Sequence, residues 1–295
     1  MRYHRVNVIA LFVILASAEI KQLKENIQAG LPAGSQQPVM EDIGHMKILA
    51  IGNSFSEDAT AYLYQIAQSG GRDIKVVNLY IGGCSLQRHW NNVEGDIPDY
   101  DYQLNGSPTG RKISIKEALL EEKWDVVTLQ QCSGQSGLPD SYDPYIEKLS
   151  AYVKSLVPDA TQWIHKTWAY EKDSTHEEYR YYDHNQSKMY EELTKAYDLA
   201  AEKLSLKLIP CGDVIQYLRS LTAFDYGNGG ISLCRDGFHM NIPYGRYALA
   251  LTWYKTLLNG DILSNTFIPE VEDGETDIKL LQIIKEGVNT YLEGK

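Results

Sequence analysis

Lys47-Ile-Leu-Ala-Ile-Gly-Asn-Ser54-Phe-Ser56 is the stretch on which the reading of the chain turns. Lys47–Ile51 reads as a short buried strand; Gly52-Asn53-Ser54 breaks it before Glu57–Gln68, where apolar residues recur at helical spacing. A serine therefore sits at a strand-to-helix corner. A hydroxyl there lies beside first-turn N–H groups without helical partners and at the positive end of the peptide dipoles, where an oxyanion would be stabilised. Serine is also a common helix cap, so the corner alone does not decide its role.

A second feature stands near the other end. Cys234-Arg-Asp236-Gly-Phe-His239-Met-Asn241 places an acid three residues before a histidine, in a glycine-containing loop ahead of a helix expected from Pro243. Nucleophilic catalysis needs a hydroxyl, an imidazole to take its proton, and a group that fixes the imidazole tautomer. Ser54, His239 and Asp236 can supply them in that order.

These residues resemble the SGNH (GDSL-type) hydrolase superfamily of serine esterases and lipases. Gly52-Asn53-Ser54-Phe55-Ser56 is similar to the first block, usually Gly-Asp-Ser-Leu, with Ser54 as nucleophile and oxyanion donor. Ile81-Gly82-Gly83-Cys84-Ser85 resembles the second, whose glycine N–H, here Gly83, binds the oxyanion. Asp236-Gly-Phe-His239 matches the fifth, carrying acid and base. The third block departs. Where the family has Gly-x-Asn-Asp, this chain reads Gln130-Gln131-Cys132-Ser133-Gly134-Gln135-Ser136 after Trp124–Leu129. A glutamine amide is one methylene longer and can donate the same bond from further back, so Gln131, then Gln130, is expected to complete the oxyanion hole. Asn53, Trp90, Trp168 and Tyr170 are expected to contact substrate.

Further strand candidates are Ile74–Tyr80, Asp125–Leu129, Gln162–Thr167 and Lys207–Ile209. Helix candidates are Ile115–Glu122, Tyr142–Leu156, Glu177–Leu204, Gly212–Leu221, Tyr244–Leu258 and Asp277–Leu292. The alternation implies an α/β fold, a three-layer α/β/α sandwich on a central parallel sheet of about five strands, with its ligand crevice at the strands' carboxyl ends. The long polar and aromatic stretch 88–112 contains Asn105-Gly106, a hairpin-turn dipeptide, and is expected to form a hairpin that overhangs that crevice.

Ahead of this domain, 46–295, residues 1–18 combine a basic start, an apolar run and Ala16-Ser17-Ala18, the pattern of an export signal; 19–45 reads as a linker. The apolar run is too short to span a bilayer, so no stable membrane insertion is expected. Cys84, Cys132, Cys211 and Cys234 lack metal-site spacing. In an exported chain, loop adjacency would favour Cys84–Cys132 and Cys211–Cys234 disulfides; in a reducing compartment the four would be buried thiols. His165 reads as a hydrogen-bonded core residue, and His176 and His184 as solvated. A net charge of −11 without a basic stripe argues against nucleic acid, and no dinucleotide or P-loop motif appears; the mechanism needs no cofactor.

Tyrosine occurs at 21 positions against 5 for phenylalanine, a bias towards side chains with an apolar face and polar tip that suits sugar-binding surfaces. The expectation is therefore a serine esterase removing an O-acyl, above all O-acetyl, group from a carbohydrate. A non-catalytic glycan-binding protein on the same fold is the competing reading, with the altered third block in its favour.

Overall fold

The computed structural model describes residues 45–271 and 274–294. The expected export signal lies outside the described residues, as does all of the expected linker except His45. A seven-stranded sheet forms the centre, in the order β4-β3-β2-β1-β5-β6-β7. Its strands are β1 Met46–Gly52, β2 Ile74–Tyr80, β3 Tyr100–Leu104, β4 Ser107–Ile113, β5 Val126–Leu129, β6 Thr161–His165 and β7 Lys207–Ile209. The five from β2 through β1 to β7 are parallel. β3 and β4 form an antiparallel hairpin paired to β2. Ile48–Ile51 of β1 are flanked by strands on both edges and are buried, which is why their sequence is continuously apolar rather than alternating.

Nine α-helices accompany the sheet among the described residues: α1 Ser54–Thr60, α2 Leu63–Ser69, α3 Leu86–Gly95, α4 Ile115–Glu121, α5 Tyr145–Leu156, α6 Gln186–Leu204, α7 Cys211–Leu218, α8 Tyr244–Leu258 and α9 Ile278–Glu293. Helices α3 to α6 pack successively on one another, while α1, α2, α7 and α9 gather around α8. The sheet is thus covered by helices, as the alternating pattern implied. α8 is buried on almost every side, so its apolar residues form no single stripe.

Stretch 88–112 departs from expectation. It supplies α3 and, as expected, a hairpin, but that hairpin extends the edge of the sheet along β2 instead of overhanging the crevice. The turn is where the sequence placed it: Asn105 and Gly106 have φ of +52° and +83°, the left-handed pair that joins two strands most tightly. Asn105 ties the turn to β2, its N–H donating to the Val76 carbonyl and its side chain accepting from Val76 N. A Cβ on Gly106 would come within 2.3 Å of the Ala61 carbonyl. The turn therefore presses on the chain between Thr60 and Leu63, where the single helix expected over Glu57–Gln68 divides into α1 and α2.

The other long helix expected, over Glu177–Leu204, is also broken. Asp183 and His184 both have positive φ, separating a 3₁₀ segment, Glu177–Tyr182, from α6. All four cysteines are free and buried, which overturns the disulfide pairing. Burial pushes the thiols of Cys84, Cys132 and Cys234 up to about 12, so they remain protonated and unreactive at neutral pH. Among the described residues no helix is long and apolar enough to cross a membrane.

Candidate active site

The parallel strands, taken alone, run in the order second, first, third, fourth, fifth, and the direction of winding reverses between β1 and β5. Ligands of open α/β sheets bind beyond the carboxyl ends at such a reversal. Ser54 stands there, first residue of α1. Asn53 caps the helix, its side chain accepting from Phe55 N while Ser56 Oγ accepts from Asn53 N, a reciprocal box that fixes the corner.

Three side chains far apart in the sequence meet at this corner. Ser54 Oγ lies 2.9 Å from His239 Nε2, and His239 Nδ1 lies 2.7 Å from Asp236 Oδ2. Asp236 Oδ1 also accepts from the backbone N–H of His239 at 2.7 Å and of Phe238 at 3.2 Å. Burial pushes the Asp236 carboxyl up, but the hydrogen bonds from the His239 ring and from the two N–H groups outweigh it and hold the pKa below the ordinary carboxylate value. Asp236 is then an anion at neutral pH, the imidazole proton belongs on Nδ1, and Nε2 presents a lone pair to the serine hydroxyl. A group depressed on folding contributes stability above its unfolded pKa of about 4 and loses it as pH falls through the depressed value.

The loop that carries Asp236 and His239 is held by a residue the sequence did not single out. Asp58, one helical turn beyond Ser54, is fully buried. It accepts from Arg246 Nε at 2.8 Å, from an Arg235 guanidinium nitrogen at 3.0 Å and from Met240 N at 2.8 Å. Arg235 also donates to the Met240 carbonyl. As the second of two adjacent acids, after Glu57, near the start of a helix it looks like an ordinary complement to the dipole; nothing local in the sequence shows partners this distant. On the loop's other side, Gly237 O accepts from Glu171 N at 2.7 Å, and the buried Glu171 carboxylate takes Ser232 Oγ and Gln186 Nε2.

Trp168 and Tyr170, expected at the substrate, are fully buried. Trp168 stacks on Phe55 with ring centres 4.1 Å apart and planes 4° from parallel, and donates from Nε1 to the Phe238 carbonyl. Its place is beneath the Asp236–His239 loop, not in the crevice. Tyr170 packs against Phe238 and shares a 2.8 Å hydrogen bond with Ser133 Oγ. Trp90 lies on α3 against Tyr152 of α5 with Lys148 over its ring, and its Nε1 is buried; it is helix packing.

The glutamines are also placed otherwise than expected. Gln131 is fully buried, its amide nitrogen donating to Ser141 O and Oγ and its oxygen accepting from Leu86 N and Cys132 N. Gln130 donates to Asn53 Oδ1 at 2.8 Å and is 2.7 Å from His165 Nδ1. Burial pushes His165 down to about 3, so the ring stays neutral and serves, as expected, as a hydrogen-bonded core residue. Both amides are committed to interior partners, so neither completes the oxyanion hole here.

The backbone donors remain. Gly83 has φ +61° and is exposed, with open space where a Cβ would be, and its N–H has no partner among the described residues. The Ser54 N–H, in the first turn, likewise has no helical acceptor. Asn53 connects the two: its amide nitrogen donates to the Cys84 carbonyl at 3.1 Å, pinning the glycine loop to the serine corner. Asn53 is buried, so it positions the loop and does not touch substrate as expected.

Asn53→Asp tests that role. An aspartate keeps the two accepted bonds but turns an oxygen towards Cys84 O. A displaced Gly83 N–H should lower kcat by about 10- to 100-fold with KM nearly unchanged, since an oxyanion donor acts in the transition state. Steady-state kinetics on an aryl acetate measures it; an unchanged kcat would show that Asn53 does not position the donor loop.

No curated protein matches the sequence. Residues 47–281 match the family model described as a domain of unknown function, DUF4886. A crystal structure of a DUF4886 family protein from Bacteroides uniformis is 34% identical, with 85% of this chain and 96% of that one covered and a TM-score of 0.77. A protein from Slackia heliotrinireducens, described provisionally as an SGNH hydrolase, is 21% identical over 72% of this chain and 100% of that one, with a TM-score of 0.51, a likeness of fold. On a fold shared with SGNH-type proteins, the chain belongs to the DUF4886 family.

Proposed function

We propose that the chain is a serine esterase that hydrolyses an O-acyl ester, foremost an O-acetyl group on a carbohydrate. The observation that carries this reading is the hydrogen-bonded relay from Ser54 through His239 to Asp236. Ser54 Oγ attacks the acyl carbonyl as its proton passes to His239 Nε2, and Asp236 steadies the imidazolium. The negative oxygen of the tetrahedral intermediate is held by the N–H groups of Ser54 and Gly83. His239 then gives its proton to the departing alcohol, leaving an acyl-serine; a water, deprotonated by the same nitrogen, attacks that ester and releases the acid.

For the substrate class, the net charge of −11 disfavours anionic substrates and supports a neutral carbohydrate ester. The non-catalytic glycan-binding alternative draws support from the two glutamine amides, both committed away from the oxyanion. One experiment separates them. A fluorophosphonate probe is expected to form an adduct on Ser54 that mass spectrometry locates and that Ser54→Ala abolishes. An unlabelled native protein would reject the esterase. Acetyl through octanoyl esters of sugar and aryl alcohols then define the acyl group, with acetyl expected to be preferred.

A further inference from the structure

Beside the relay lies a histidine that the mechanism does not use. His176 is partly exposed, on the segment joined to the catalytic loop through the Glu171 N to Gly237 O bond. Its ring meets Phe238 edge-on, centres 4.7 Å apart, and Tyr170 at 4.8 Å; Phe238 in turn lies 4.2 Å from the His239 ring. The tautomer is fixed by the backbone, because Glu178 N donates to His176 Nδ1 at 3.2 Å. A neutral ring with Nδ1 accepting must carry its proton on Nε2. That N–H has no protein partner among the described residues, so the chain holds an oriented donor next to Phe238, a partly exposed residue that adjoins His239.

The geometry points to His176 and Phe238 as a subsite for the alcohol portion of the substrate, with a neutral sugar unit set against the exposed part of Phe238 and one of its oxygens accepting from His176 Nε2. An aromatic face with a single fixed donor is a pairing that reads polyols. Asp173, Glu177 and Glu178 flank the segment and disfavour an anionic sugar. The inference rests on the esterase reading for the direction in which the sugar departs, but the binding it describes does not require turnover.

The test is therefore made on the Ser54→Ala protein, by calorimetry with mono-O-acetylated oligosaccharides of glucose, xylose and mannose. Two further changes discriminate. His176→Asn keeps an excellent helix-cap acceptor for Glu178 N but is too short to place a donor where Nε2 stands. His176→Gln is a poorer cap but reaches with its amide. A lost donor should weaken binding of the best ligand by about 5- to 10-fold in the Asn variant, with Gln staying nearer to the parent. If His176 were only a cap, Asn would bind as the parent does and Gln would be the weaker. That order, or no binding of any of the oligosaccharides by the Ser54→Ala protein, overturns the subsite. Failure of the esterase reading shows separately, as absence of fluorophosphonate labelling in the native chain.

Discussion

Ser54→Ala is expected to lower kcat on an acetyl ester by about 10⁴-fold or more, and His239→Ala to do much the same. On the proposed mechanism the two groups act as one device: the hydroxyl is a poor nucleophile until Nε2 takes its proton, and Nε2 has nothing to activate without the hydroxyl. The double variant should accordingly be scarcely worse than either single one. Asp236→Asn leaves the shape nearly unchanged but offers the imidazole no anion, and is expected to cost about 10³- to 10⁴-fold by losing the tautomer. Burst and steady-state kinetics with an aryl acetate give all four numbers. Effects of Ser54 and His239 that multiply in the double variant would mean they act independently, against the 2.9 Å contact between them.

The second large effect is expected at Asp58, which touches no substrate. Its carboxylate pairs with two arginines and takes the Met240 N–H, closing the far side of the loop onto α1. Removing one partner of a buried ion pair typically costs about 3–5 kcal/mol. Here the Arg235 and Arg246 side chains are 32% and 20% exposed, so water relieves part of the loss and the lower end, about 3 kcal/mol, is expected for Asp58→Ala. For a domain of this size that is a fall in Tm of about 6–12 °C. Well below the transition, fluorophosphonate labelling of Ser54 should also slow, because Met240 adjoins His239 and its anchor has gone. A Tm equal to that of the native protein would show that the loop is held by its other contacts alone.

These residues mark what could be read from the chain and what could not. The corner at Ser54 was legible because a buried strand, a glycine break and a helical period follow one another within a few residues. The Asp236–His239 loop was legible because acid and imidazole lie within one turn of chain. The edge hairpin was legible only at its turn, Asn105-Gly106: β4 is exposed at every residue but Ile113 and carries Pro108 and Gly110, so it shows no alternating pattern that would mark it as a strand extending the sheet. The division of α1 from α2 was not legible, because its cause, the turn at Gly106, comes from elsewhere in the chain. The third block misled for a related reason. A glutamine's reach is a property of the side chain, but its direction is set by partners such as Asn53, His165 and Ser141, which local sequence does not display.

Ser54 and His239 are separated by 185 positions, with most of the sheet formed between them. On the ribosome the serine is therefore exposed long before its base has been translated, and closing so large a loop must await the strands that bring its ends together. On the proposed mechanism, a growing polypeptide would carry an ordinary alcohol at this corner, inert towards any ester it meets, until Asp58 has captured the later-synthesised segment that bears His239.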